Sequence, residues 1–375
     1  MVSSPDHSPI IGPAIRQIHP NKVGFIYKPA DFEAHAAHLR EHTKEKIALV
    51  LSGGGMSCIY IVGALIALFE RYGLCEPNLI VAASGSAGTA CYYKARQFYQ
   101  MAYGWLNLLS DEKFMSGFSA DIDYLVYTIF KTKNPIQTDR FRSNPIELQL
   151  AATDYQTADV VFMSPQAGSD IHLETNEIYE AMRASKALPI FYGKQVVIQG
   201  RTLIDSMLSA QTPFLIERAL QNPTIDRVIA FDLTKPGGRS ERVMDASSYY
   251  QGLFGDPDRS TFYELYKQGK LEREALRRAQ LQNPKVTLIR PKGPLPADTL
   301  DNQREKLLAT LIMGYREALE NNALRHLLTG RFATASESPR HRLHTAPGLP
   351  PHVIHARGVV PHGPLSDHTS LPGSG

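Results

Sequence analysis

Lys46-Ile-Ala-Leu-Val-Leu-Ser-Gly-Gly-Gly55 and Leu79-Ile-Val-Ala-Ala-Ser-Gly-Ser-Ala-Gly88 decide how this chain reads. Ile47–Leu51 is a short, unbroken apolar run, the pattern of a strand buried on both faces. It empties into Ser52-Gly53-Gly54-Gly55, and a helical pattern then runs from Met56 to about Tyr72. Leu79–Ala83 repeats the apolar run, empties into Ser84-Gly85-Ser86-Ala87-Gly88, and is followed by a second helical stretch over Thr89–Gln100. Strand and helix alternating in this way predict an α/β fold with a mostly parallel central sheet and helices on both faces. Reactive groups in such sheets gather where loops leave the C-terminal ends of the strands.

Both loops carry chemistry. A nucleophile elbow sets a serine on a tight strand-to-helix turn, with tiny residues two before and two after it. Ser86, flanked by Ser84 and Gly88, meets that spacing. The helix N-terminus behind it offers unpaired N–H groups to a developing oxyanion. The same residues also suit an ordinary small-residue turn. Gly53, Gly54 and Gly55 bring bare backbone N–H groups close to whatever lies above the sheet, as in an oxyanion hole or a phosphate cradle. A dinucleotide fingerprint, G-x-G-x-x-G, would need glycine at position 58, where Cys58 stands. A glycine loop and a serine turn on adjacent strands make a stronger pair than either alone.

With these residues in view, the chain resembles the patatin-like phospholipases. Leu51-Ser-Gly-Gly-Gly-Met-Ser-Cys58 and Gly63-Ala-Leu resemble the family's oxyanion loop and first helix, and Ser84–Gly88 its elbow. Ala184-Ser-Lys-Ala-Leu-Pro189 and Leu203-Ile-Asp-Ser-Met-Leu208 resemble the segments around the family's catalytic aspartate. Ala152-Thr-Asp-Tyr155 and Gly314-Tyr-Arg-Glu-Ala-Leu319 extend the likeness, in the right order, over residues 46–325. The resemblance implies a three-layer α/β/α hydrolase. It implies cleavage of phospholipid or related lipid esters through an acyl-enzyme on Ser86, with Asp205 as base. The N–H groups of Gly53, Gly54, Gly55 and Ala87 are the implied oxyanion hole. No metal and no cofactor are needed. Ser57, Cys58, Ser84, Ser206 and Met207 add side chains where the family keeps arginine, glycine or another small residue. They leave open a second reading, a catalytically weak relative that binds lipid or a partner.

No histidine is well placed for a triad. After Asp205 the first is His326, near the end of a long helical pattern over Asp298–Leu328, and the rest lie in the tail. His172 precedes Asp205 beside an expected loop, and triad order varies between folds. Met101–Phe130 is rich in aromatic and large apolar residues. It reads either as ordinary packing on the sheet or as a cap giving apolar walls to an acyl chain.

Composition bounds the rest. The chain has 375 residues, 43% of them hydrophobic, enough for one large α/β domain. A formal net charge of +3 gives no nucleic-acid signature and is compatible with peripheral contact with an anionic membrane. Cys58, Cys75 and Cys91 lack metal-ligand spacing and read as thiols in a non-oxidising compartment. No basic segment followed by an apolar run opens the chain, so a cytoplasmic location is expected. Residues 1–45 read as an N-terminal extension with a helix over its last third. Residues 46–330 form the hydrolase domain, and residues 331–375, rich in proline and histidine, read as a disordered tail. A charge-laced helical pattern over Phe262–Leu281, with Lys267, Lys270, Arg273, Arg277 and Arg278, suits either a solvated face or a membrane surface.

Overall fold

The computed structural model describes residues 45–233 and 259–329, except 112, 117, 118 and 167, together with 242, 245 and 246. The expected N-terminal extension, apart from residue 45, and the tail over 331–375 lie outside the described residues.

The strands are β1 (Ile47–Leu51), β2 (Leu79–Ala82), β3 (Met115–Ser116), β4 (Ser119–Ala120), β5 (Glu147–Asp154), β6 (Val160–Ser164), β7 (Ile171–His172), β8 (Val196–Ile198), β9 (Arg201–Ile204), β10 (Arg227–Phe231) and β11 (Val286–Ile289). The main sheet runs β11-β10-β1-β2-β5-β6-β7, with the β8–β9 hairpin joined to β5 through β9. Its first five strands are parallel to their neighbours; β6 and β9 run antiparallel to β5. The expected mostly parallel sheet is therefore present.

β1 is apolar throughout because both of its faces are covered. Ile47, Leu49 and Leu51 pack with the Ile59–Tyr72 helix on one side. Ala48 and Val50 pack with Leu215, Ile216 and Ala219 of the Thr212–Leu220 helix on the other. The Ile59–Tyr72 helix is apolar on nearly all sides, as a helix enclosed by protein must be. Its outer neighbour is the Arg304–Glu320 helix, and the two backbones touch at two glycines. A Cβ on Gly63 would lie 1.9 Å from the Leu311 carbonyl oxygen, and one on Gly314 2.0 Å from that of Tyr60. Tyr60 Oη donates to Glu317 at 2.7 Å and Tyr315 Oη to Glu70 at 2.8 Å, so the polar groups at this seam are paired.

Register sets the site. Ala82 at the end of β2 pairs with Leu150 of β5. β5 continues four residues further, to Asp154, and β9 runs back down that overhang with Thr153 opposite Ile204. Asp205, the next residue, reaches the level of Ala152. Ser84, two residues past Ala82, reaches the same level from β2.

Several expectations shift. The helix expected from Met56 begins with a 3-10 turn, Gly55–Cys58. The helix expected over Thr89–Gln100 begins earlier, at Ser86, ends at Lys94, and is followed by a separate one over Phe98–Tyr103. The long pattern over Asp298–Leu328 is two helices, Arg304–Glu320 and Asn322–Thr329, because Asn321 turns out and accepts from the Leu324 N–H at 3.1 Å. Glu174 caps the Thr175–Glu177 turn, in a reciprocal box with Glu177. In the Arg259–Leu281 helix Arg273 is buried and Arg277 points toward Asp232 at 3.9 Å, so its basic residues do not share one outward face.

Candidate active site

The turn after β2 is Ala83-Ser84-Gly85, and its corner is Ser84. Ser84 is in the left-handed region, at φ +47°, which costs a side-chain-bearing residue of order 1–3 kcal/mol and persists only where surroundings enforce it. Its N–H donates to Ser185 Oγ at 2.9 Å. Its carbonyl accepts from the Ala87 N–H at 3.0 Å and from Lys186 Nζ. Its hydroxyl donates to Asp205 Oδ2 at 2.9 Å.

Ser86, expected at that corner, stands two residues further on. Ser86 is the first residue of the Ser86–Lys94 helix, not the corner of the turn. It is fully buried, and its Oγ donates to the Ser52 carbonyl at 2.7 Å. A helical side chain leans toward its own N-terminus, which here points Ser86 into the sheet. The Ala87 N–H donates to the Ser84 carbonyl at 3.0 Å. With Ser84 at the corner, the N–H that follows the serine belongs to Gly85. The N–H groups of Gly53, Gly54 and Gly85 make no backbone hydrogen bond among the described residues.

The glycine loop is bare for physical reasons. Gly54 (φ +156°) and Gly55 (φ +57°) have backbones that favour glycine. A Cβ on Gly53 would lie 2.3 Å from Met207 Cγ and 2.9 Å from Ser84 Cβ.

Asp205 is 2% exposed. Its Oδ1 accepts from the Met207 N–H at 2.8 Å, leaving Oδ2 for Ser84. Burial pushes its carboxyl up to about 6, against the downward pull of the Met207 N–H, the Ser84 hydroxyl and Lys186. Thr153 Oγ1 donates to its carbonyl at 2.8 Å and anchors the segment to β5. His172 is exposed on edge strand β7, and neither it nor His326 lines the cavity at Ser84.

That cavity, of about 110 Å³, opens beside Ser84, Gly85 and Asp205. Its far walls are Met101, Trp105, Leu109, Phe114, Leu125 and Phe130, from the segment expected as either cap or packing. They provide an apolar wall next to the serine. Gly104–Leu108 and Tyr124–Lys133 are π-helical, an arrangement seen frequently at functional sites.

The sequence model of the patatin-like phospholipase family matches residues 49–217. The match takes in the glycine loop, Ser84 and Asp205. Among solved structures, the crystal structure of VipD from Legionella pneumophila is similar over 77% of this chain and 68% of that one, with TM-score 0.44 and 13% identity. No curated protein matches the sequence.

Within the matched span, the unusual side chains have local partners. Ser57 Oγ donates to the Gly54 carbonyl at 2.6 Å and Ser206 Oγ to the Ser185 carbonyl at 3.1 Å. Cys58 is buried below the loop, and burial pushes its thiol up to about 11. Met207 occupies the space beside Gly53. Two groups at the site were not singled out from sequence, Ser185 and Lys186. The available signal was the charge itself, one lysine in the otherwise small and apolar run Ala184–Pro189.

Proposed function

We propose that the chain is a serine acyl hydrolase of lipid esters, with Ser84 as nucleophile and Asp205 as its base. The observation that carries this reading is the 2.9 Å hydrogen bond from Ser84 Oγ to Asp205 Oδ2, made by a serine at a left-handed corner beside an apolar cavity.

In this reading the ester's acyl chain lies against Trp105 and Phe130. Ser84 Oγ attacks the acyl carbon while Asp205 Oδ2 takes its proton. The tetrahedral oxyanion accepts from the Gly85 N–H and from the Gly53–Gly54 loop. Collapse of the intermediate expels the alcohol, which leaves with the proton held by Asp205. A water molecule then gives Asp205 a proton and attacks the acyl-enzyme, and Ser84 Oγ takes that proton back as the fatty acid leaves. A free aspartate near pKa 3.9 is a weak base. A carboxyl at about 6 is a stronger one and still ionised at neutral pH.

The test is a pair of variants assayed on p-nitrophenyl esters and labelled with a serine-reactive phosphonate. Ser84→Ala should lose both turnover and labelling, and Ser86→Ala should keep both. The opposite pattern would return the nucleophile to Ser86.

A further inference from the structure

Lys186 is a buried cation that the reaction above does not use. It is 7% exposed and lines the cavity beside Ser84, Gly85 and Asp205. Its Nζ donates to two carbonyls of the elbow, that of Ser84 and, at 3.1 Å, that of Gly85. A buried ammonium is costly even when hydrogen-bonded, and a neutral side chain would avoid that cost.

The peptide between Ser84 and Gly85 gives the charge a role. The described residues include no cis peptide bond, so the Ser84 carbonyl and the Gly85 N–H point in opposite directions from one rigid plane. Drawing the carbonyl inward, to Lys186 and the Ala87 N–H, turns the Gly85 N–H outward. A flip of this plane would present a carbonyl oxygen to the oxyanion and abolish the site. The corner residue, at φ +47°, is strained, so the plane needs an external restraint. The charge also lies on the side of the peptide from which it strengthens the N–H as a donor.

We propose that Lys186 is a positioning residue that holds the Ser84–Gly85 peptide in the orientation that aims the Gly85 N–H at the reacting carbonyl oxygen, and that its positive charge is needed for this. The proposal rests on the Ser84–Asp205 reading.

Charge dependence gives it a signature. The charged and titratable groups around Nζ are Cys58, Asp205 and Cys91. Burial pulls the ammonium down to about 8, against the upward pull of those three groups. Burial holds the thiols of Cys58 and Cys91 at about 11 and about 12, so neither titrates between pH 7 and 9. Asp205, at about 6, gives the acid limb of the rate, and Lys186 gives an alkaline limb near 8.

The experiment compares wild type, Lys186→Met and Ser84→Ala on a p-nitrophenyl ester across pH 5–10, with melting temperatures at each pH. Lys186→Met keeps the length of the stem and removes the charge. It should lower kcat on the order of 100-fold, the loss typical of one oxyanion donor, and leave KM within about threefold. Affinity for a trifluoromethyl ketone, which forms the oxyanion on the serine, should fall by a similar factor. The alkaline limb near 8 should disappear. A folded Lys186→Met with kcat within threefold of wild type overturns the proposal. So does a loss confined to KM with ketone affinity unchanged, which a substrate-binding role would produce. If the variant does not fold, the wild-type profile decides. Turnover falling through pH 8 at constant melting temperature supports the role, and flat turnover to pH 10 overturns it. Retained turnover in Ser84→Ala would instead sink the dyad itself.

Discussion

Asp205→Asn separates the base from the fold, because the two consequences have opposite signs. Asn keeps the shape, and its amide oxygen can still accept from the Met207 N–H now bonded at 2.8 Å. What is lost is the proton acceptor for Ser84, so turnover should fall by about 10²–10⁴. Stability should move the other way. Burial raises the Asp205 carboxyl from 3.8 to about 6, so between those values the folded chain holds a proton that the unfolded chain has released. The stability contributed by the protonated form is present below pH 3.8 and is lost as pH rises through about 6. At pH 7 the buried carboxylate therefore costs up to ~3 kcal/mol, which Asn does not incur. For a domain of this size that corresponds to a melting temperature raised by up to roughly 10 °C. Differential scanning fluorimetry at pH 4 and 7 reads it, with the gap between variant and wild type opening only at the higher pH. The assay on p-nitrophenyl esters reads the rate. An inactive variant less stable than wild type at pH 7 would refute the buried-base argument. A stable variant with turnover within tenfold of wild type would refute the role of Asp205.

Other substitutions test other parts of the molecule. Ser86→Ala should keep turnover within a few-fold and lose about 1 kcal/mol in urea unfolding, the worth of its bond to the Ser52 carbonyl. Gly63→Ala places a methyl 1.9 Å from the Leu311 carbonyl oxygen; the helices must part, at a cost of about 3 kcal/mol or more in the same assay. Trp105→Ala enlarges the cavity and removes the donor to Thr89 Oγ1 at 3.2 Å, so kcat/KM should shift toward longer or bulkier acyl esters. Unchanged chain-length preference would show that the acyl chain lies elsewhere.

Most of the fold was legible because burial leaves a simple trace. Ile47–Leu51 is apolar at every position, and the structure covers both its faces. Two successive positive-φ residues, Gln199 and Gly200, close the β8–β9 hairpin. Less was legible where a long-range contact decides. The π-helical turns over 104–108 and 124–133 have no local signature, and only packing around the cavity gives them a role. Asp205 was found through resemblance, whereas its position depends on β5 outrunning β2 by four residues, which no local pattern encodes.

The serine illustrates the same distinction at the smallest scale. Spacing from Gly88 points to Ser86, since a glycine two residues after a nucleophile is what an elbow leads one to expect. In the structure that glycine has a different cause. A Cβ there would lie 2.6 Å from the Phe130 ring, so Gly88 is bare to admit the cavity wall. The tight elbow contact falls on Gly85, whose Cβ would meet the Gly55 carbonyl oxygen and Cys58 Sγ, both at 2.7 Å. The small residues two before and two after Ser84 are Ala82, ending β2, and Ser86, opening the helix. An elbow is defined by where the strand stops and the backbone turns left-handed, and a glycine in a motif is only a proxy for that. Here a second, unrelated demand for glycine displaced the proxy by two residues. Counting from the end of the strand leads to Ser84, and the hydrogen bond to Asp205 is an independent observation that leads to the same residue.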